Sequence, residues 1–156
     1  MMKAQHLNPL FQVSEISVSY QPKFKASERP RVTSSREAYK VLINNWDMQK
    51  IHFQEQFYVL MLNSAGRVIG ISLISTGGKV ATIADPKIIF SIALKAQAVS
   101  IILAHNHPSE NLKPSQADAN LTKRMVEAGK FLDLMVIDHL IITRDGFYSF
   151  GDEGLI

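Results

Sequence analysis

The chain contains no cysteine. No disulfide can brace it, and no thiolate can hold a metal, so any metal must be bound by His, Asp or Glu. It also lacks an apolar run near the roughly 20 residues that cross a bilayer. The opening Met1-Met2-Lys3-Ala4-Gln5-His6 lacks the apolar stretch of a signal peptide. A cytoplasmic protein with no membrane association is the expectation. There is little excess charge of one sign: 17 Lys and Arg against 14 Asp and Glu, a net +3. That permits a weak nucleic-acid association without demanding one. Aromatic residues are only 8%, and only Lys23-Phe24-Lys25 and Arg29-Pro30-Arg31 approach the basic, aromatic-interleaved pattern of a single-strand binder. No internal repeat and no low-complexity tract is visible.

What is present is a chain of 156 residues with 46% hydrophobic content, enough for one domain with a real core. Residues 1–33 differ from the rest. Glu15 to Tyr20 alternates weakly, as a strand would, and Gln21 to Arg31 is basic with two prolines. This segment is expected to be an extended N-terminal arm ahead of a domain at 34–156. Ser34, three residues before Glu37, marks a helix start, and the helix is expected to run to about Trp46. Phe57–Leu62 and Val68–Ser75 read as two strands of a hairpin around the turn Asn63–Gly66. Asp85 caps a helix with Pro86 in its first turn, running to about Ala98. Val99–Ala104 is the continuous apolar run of a strand buried on both faces. A helix from Ser115 to Ala128 follows, with Gly129 as its C-cap. Leu134–Thr143 and Phe147–Phe150 complete the strands. This order predicts an α/β fold, a mixed β-sheet sandwiched by helices.

The chemistry concentrates in Ala104 to Asp118. His105 and His107 are two apart, so in an extended segment both imidazoles point to one side. Asp118 returns eleven residues later at a helix start. Two neutral imidazoles and a carboxylate make a three-ligand shell that leaves a position for water, the arrangement of a catalytic divalent metal. Each residue also has a plainer reading. Ser115 is a helix cap, Asp118 a first-turn acid and the histidines loop residues. The ordered sequence of strand, loop and capped helix favours the metal. His6 and His52 belong to no constellation and are expected at the surface. Asp138 and His139 fall on opposite faces of a strand. One of them is a candidate partner for a ligand histidine, with a satisfied core pair the equal alternative.

The spacing His-x-His, ten residues, Asp, with Ser three before the Asp, resembles the JAMM motif of MPN-plus metalloproteases. More narrowly, His105-Asn106-His107-Pro108-Ser109, Pro114-Ser115-x-x-Asp118 and Asp138-His139-Leu140-Ile141-Ile142 resemble the RadC family of bacterial JAB-domain proteins, over about residues 34–156. The resemblance implies a JAB/MPN, cytidine-deaminase-like fold. It also implies a zinc-dependent metallohydrolase cutting peptide or isopeptide bonds, with a peptide or protein substrate. By that likeness His105, His107 and Asp118 hold one Zn2+ per chain. Ser115 donates to the oxyanion of a tetrahedral intermediate, and Glu55 is the general base and acid. Without the likeness, Glu55 reads as a solvent-facing residue opening a strand. Two departures stand out. Glu110-Asn111 replaces a Gly-Asp or Gly-Asn pair, and Ala84-Asp85-Pro86-Lys87 replaces a His-Pro-Arg pattern. Longer members carry an N-terminal helix-hairpin-helix-like region associated with DNA binding, where this chain has a short arm.

Two other functions compete. A non-catalytic, DNA-associated module, of DNA repair or of a mobile element, would retain the metal site and show steeply salt-dependent binding. A zinc nucleobase deaminase needs a His-x-Glu and a Cys pair, and the missing cysteine argues against it.

Overall fold

The apolar run that starts at Ile101 lies at the centre of the fold because it has a strand on each side and helices on both faces. The structure is a computed structural model and describes residues 12–17, 19–78 and 83–156. In chain order its elements are α1 (Ser35–Asn44), β1 (Gln56–Leu62), β2 (Val68–Thr76), α2 (Pro86–Lys95), β3 (Ser100–Asn106), α3 (Gln116–Phe131), β4 (Met135–Ile142) and β5 (Phe147–Ser149). The five strands form one sheet in the order β2-β1-β3-β4-β5. β3 and β4 are parallel, joined by the crossover helix α3, and the other pairs are antiparallel. This is the mixed α/β sandwich that the element order predicts.

Strand alternation divides the core in two. Tyr58, Leu60, Leu62, Ile102, Ala104, Leu140 and Ile142 pack under Ala38 and Leu42 of α1, joined by Trp46 and Ile51. Phe57, Val59, Met61, Ile101 and Leu103 pack on the opposite face against Ile89, Phe90 and Ala93 of α2 and Met125 of α3. Each fully buried Leu or Ile contributes on the order of 2 kcal/mol. Together the two clusters fix the register of β3 and so the direction in which its last side chains point.

The boundaries differ from expectation where backbone geometry intervenes. α1 stops at Asn44, and Trp46 is buried beyond its end. Ser34 caps α1 by accepting from Glu37 N–H at 3.2 Å, but the Glu37 carboxylate turns to Thr33 N–H and O–H at 2.6 and 2.7 Å, not to Ser34. α2 stops at Lys95, before Ala98, because Gln97 takes the left-handed region at φ 56°. α3 does not end at Gly129 but runs on to Phe131. The glycine is needed for packing: a Cβ there would sit 2.4 Å from the Leu134 carbonyl oxygen.

No strand forms within the described part of residues 15–20, and Val18 lies outside the described residues, as does His6. Tyr20 instead donates its hydroxyl to the Ile69 carbonyl at 2.7 Å. Farther along, Val68 N–H donates to Pro30 O at 2.9 Å and Val32 N–H to Gly66 O at 2.8 Å. The chain ahead of α1 is thus hydrogen-bonded to the hairpin turn and the start of β2. None of the helices among the described residues is long and apolar enough to cross a membrane.

Candidate metal centre

His105 is not past the strand but inside it, the second-last residue of β3, opposite Phe57 of β1 and beside Ile141 of β4. Alternation puts it on the α3 face with Ile101 and Leu103. His107 lies just beyond the strand, held by its N–H to Ile142 O at 3.2 Å. Its ring Nδ1 donates to the Asn111 carbonyl at 2.6 Å, which leaves Nε2 facing inward. Asp118 arrives from the other direction, in the first turn of α3. Ser115 caps that helix, its Oγ accepting from Asp118 N–H at 3.1 Å. In return Asp118 Oδ2 accepts from both the N–H and the O–H of Ser115, each at 2.7 Å. This reciprocal cap orients the carboxylate and points Oδ1 at His105.

Three ligand-capable atoms therefore converge. His105 Nε2 lies 3.0 Å from His107 Nε2 and 3.2 Å from Asp118 Oδ1, and His107 Nε2 lies 3.7 Å from Asp118 Oδ2. Zinc bonds of about 2.0–2.2 Å in a tetrahedron separate neighbouring donors by about 3.3 Å. The observed spacings of 3.0, 3.2 and 3.7 Å lie around that value. His105, His107 and Asp118 form a group that could hold a metal ion, and it has the all-N/O donor set that a cysteine-free chain allows.

The electrostatics favour a cation. Burial works against ionisation of Asp118, but hydrogen bonds to His105, His107 and Ser115 and the charge of His105 prevail, holding its pKa far below the usual carboxylate range. His107 is pushed up, chiefly by its hydrogen bond to Asp118, against burial and with help from the Asn111 carbonyl and the negative charge of Glu55.

Glu55 precedes β1 and is buried, so it does not face open solvent. Its N–H donates to Gly78 O at 3.0 Å and its carbonyl accepts from Gly77 N–H at 2.8 Å, which ties it to the chain leaving β2. Glu55, His107, Ser115 and Asp118 line one cleft of about 300 Å³, together with Ser109, Asn111 and Lys113. Asn106, unremarked in the sequence, sets this arrangement. Its Oδ1 accepts from Gln56 N–H at 2.7 Å, and its Nδ2 donates to the carbonyls of Ile51 and Gln54 at 2.8 and 2.9 Å. The residue between the two histidines thus grips the backbone on both sides of Glu55.

Asp138 and His139 separate. His139 Nε2 lies 2.8 Å from His105 Nδ1, and its Nδ1 lies 2.6 Å from the hydroxyl of Thr122, a second residue that the sequence did not single out. Burial, then repulsion from His105, drives the His139 pKa well down, so its ring is neutral. Asp138 instead accepts from His139 N–H at 2.7 Å, Gly151 N–H at 2.9 Å and Ser149 O–H at 2.7 Å, away from the ligand cluster. His52 is exposed, 3.5 Å from the Glu110 carboxylate. Glu110 itself stands at φ 62°, the left-handed region that favours glycine, so this sequence puts a strained Glu where relatives were expected to have Gly.

A family model described as the RadC-like JAB domain matches residues 32–155. A UPF0758 protein of Flavobacterium johnsoniae is 43% identical over 128 residues, covering 80% of this chain and 53% of the relative. One of Porphyromonas gingivalis is 40% identical over 137 residues, covering 86% and 59%. One of Symbiobacterium thermophilum is 39% identical over 102 residues, covering 65% and 44%. The chain thus spans about half the length of the curated relatives it matches.

Proposed function

Because the chain belongs to the RadC family of JAB-domain proteins, we propose that it is a metal-dependent hydrolase of the JAMM type, cutting peptide or isopeptide bonds with one zinc ion per chain. The observation that carries this reading is the convergence of His105 Nε2, His107 Nε2 and the Asp118 carboxylate at the spacing of a tetrahedral ion, beside a cleft that Glu55 and Ser115 also line.

A bound zinc would supply a Lewis acid that acidifies water and polarises the scissile carbonyl. His105, His107 and Asp118 would hold it. Glu55 takes a proton as water attacks and returns it to the leaving amine. Asn106 keeps the backbone around Glu55 at a fixed distance from the two histidines, which is the positioning such a transfer requires. Ser115 has two donors on Asp118 Oδ2. Its hydroxyl can turn from there toward an oxyanion, while its N–H keeps the carboxylate clamped. The polar residues Ser109, Asn111 and Lys113 would meet the substrate chain. Catalysis would take place in the cytoplasm.

Metal content of the purified protein, by elemental analysis beside a His105→Ala/His107→Ala control, tests this reading. About one zinc per chain, lost in the control, is expected. No metal after reconstitution would overturn the hydrolase and move the weight to a DNA-associated binding module.

A further inference from the structure

The hydrogens of the buried contacts behind His105 can be assigned one by one, starting from an atom that offers no choice. The backbone carbonyl of Asp118 can only accept. Thr122, one turn later in α3, lies 2.7 Å from it, so the single hydroxyl hydrogen of Thr122 points there. Thr122 Oγ is then an acceptor toward His139 Nδ1 at 2.6 Å, and that nitrogen must carry a hydrogen. His139 is fully buried, stacked on Phe150 with centroids 5.1 Å apart and tilted against Phe57 at 5.6 Å. An imidazolium in that apolar setting is costly, so the ring is neutral and its Nε2 is bare. His105 Nδ1, 2.8 Å from that bare nitrogen, must be the donor. His105 is then left with Nε2, the atom that faces His107 and Asp118, as its nitrogen for an ion. With His139 neutral, no other placement of hydrogens on its ring and on His105 Nδ1 satisfies all three contacts.

We infer that Thr122 and His139 form a positioning relay that fixes the tautomer of His105 and ties that ligand to the backbone of Asp118, so that two residues outside the ligand set govern metal affinity. The inference rests on the metal reading above and deepens it. The relay is a closed circuit. It begins at the carbonyl of one ligand residue, passes through the Thr122 hydroxyl and the His139 ring, and ends at the ring of another. A metal-bound imidazole commonly donates its second N–H to a carboxylate, carbonyl or water. Here the acceptor is a second imidazole, which can present either an acceptor or a donor. Thr122 decides which. Without its hydroxyl, His139 gains by moving its hydrogen to Nε2, which would donate to His105 Nδ1. His105 would then carry its own hydrogen on Nε2, where the ion should bind. His139 also adds rigidity, since its ring is clamped between Phe57 and Phe150.

The test combines tautomer and affinity on the full chain. Long-range proton–nitrogen NMR spectra of the metal-free wild type should show both His105 and His139 with hydrogen on Nδ1. A wild-type spectrum with His105 protonated on Nε2 alone overturns the inference, whatever any variant does. Zinc affinity, read by competition with a chelator, should fall about 10- to 100-fold in Thr122→Val, the range expected when a metal ligand loses its supporting partner. Thr122→Ser, which keeps the hydroxyl, should stay within a few-fold of wild type. A merely structural role for Thr122 would leave the tautomer and the zinc affinity of a folded Thr122→Val protein unchanged, and that result overturns the inference while the metal reading stands. A wild type that takes up no zinc overturns both.

Discussion

Asp118 and Asp138 are two shielded carboxylates on the same domain, each held by a serine hydroxyl and by backbone N–H groups, and they have opposite meanings. Asp138 has a donor on both oxygens. Oδ1 takes His139 N–H and Gly151 N–H, and Oδ2 takes Ser149 O–H. Asp118 has such donors on one side only. Ser115 supplies both donors to Oδ2, which also lies 3.7 Å from His107 Nε2, while Oδ1 faces His105 Nε2 at 3.2 Å. Burial pushes the Asp138 pKa up, its hydrogen bonds notwithstanding. For Asp118 the same burial is outweighed by the histidines and Ser115. A carboxylate with donors on both oxygens and no other electron pairs beside it has a structural role. One that keeps an oxygen among other electron pairs is a place for a cation.

The largest break in that comparison is Asp118→Asn set against Asp138→Asn. Asp118→Asn should lose zinc binding altogether, since the ion loses its only anionic ligand. Asp138→Asn should retain wild-type stoichiometry in elemental analysis. Equal zinc loss in both would mean that the two sites are not independent. The pH dependence of stability should differ as well, read by chemical denaturation without metal. The pKa of Asp118 is depressed, so its contribution is present above the ordinary carboxylate value and is lost as pH falls. The pKa of Asp138 is raised, so its contribution is fullest below that value and shrinks as pH rises through the raised one. The Asp138→Asn penalty should thus be greater near about pH 4 than near about pH 7.

Glu55→Gln comes next. It should leave zinc in place and lower hydrolysis by about 10²- to 10⁴-fold, the usual weight of a general acid–base group. Full activity in a zinc-loaded Glu55→Gln protein would remove Glu55 from the mechanism. Asp138→Ala is expected to act on stability alone. It leaves Gly151 N–H, His139 N–H and the Ser149 hydroxyl without their acceptor. Each unsatisfied donor costs about 1–3 kcal/mol. A loss of about 3 kcal/mol or more in urea denaturation, with zinc stoichiometry retained, is the expected result.

The cluster of His105, His107 and Asp118, which could hold a metal ion, was legible because its signal is local: two histidines at strand spacing and an acid in a capped first turn. The element order was legible for a similar reason, since Val99 to Ala104 and the caps at Ser34, Asp85 and Ser115 are punctuation in the sequence. The long-range polar contacts were not. Asn106 sits between the histidines as an ordinary residue, and only the pairing of β3 with β1 brings it to Gln54 and Gln56. Thr122 looks like any helix residue until α3 crosses over β4 and sets its hydroxyl against His139. Asp138 and His139 stayed undecided for the same cause: alternation says they face opposite ways, but not what each meets. Gly129 was mistaken for a helix end because its role depends on the close approach of Leu134, not on its own backbone.

The smallest effects come from the two serines, which form a matched pair. Ser115 and Ser149 each donate a hydroxyl hydrogen to their aspartate at 2.7 Å, and each hydroxyl also accepts a backbone N–H, from Asp118 at 3.1 Å and from Asp152 at 3.0 Å. By local bonding they are nearly equivalent. Ser115→Ala and Ser149→Ala should each cost about 1 kcal/mol in denaturation, the weight of a lost cap or side-chain hydrogen bond. They should differ once zinc and a cleavable peptide are present. Ser149→Ala should leave turnover unchanged, since its hydroxyl bonds Asp138 and the Asp152 N–H and does not line the cleft. Ser115→Ala should lower kcat by about 10²- to 10³-fold if its hydroxyl reaches the oxyanion. If Ser115→Ala loses stability alone, with kcat equal to that of Ser149→Ala, then Ser115 is a cap and nothing more. The two carboxylates would still differ in their metal, but the serine beside Asp118 would have no part in turnover.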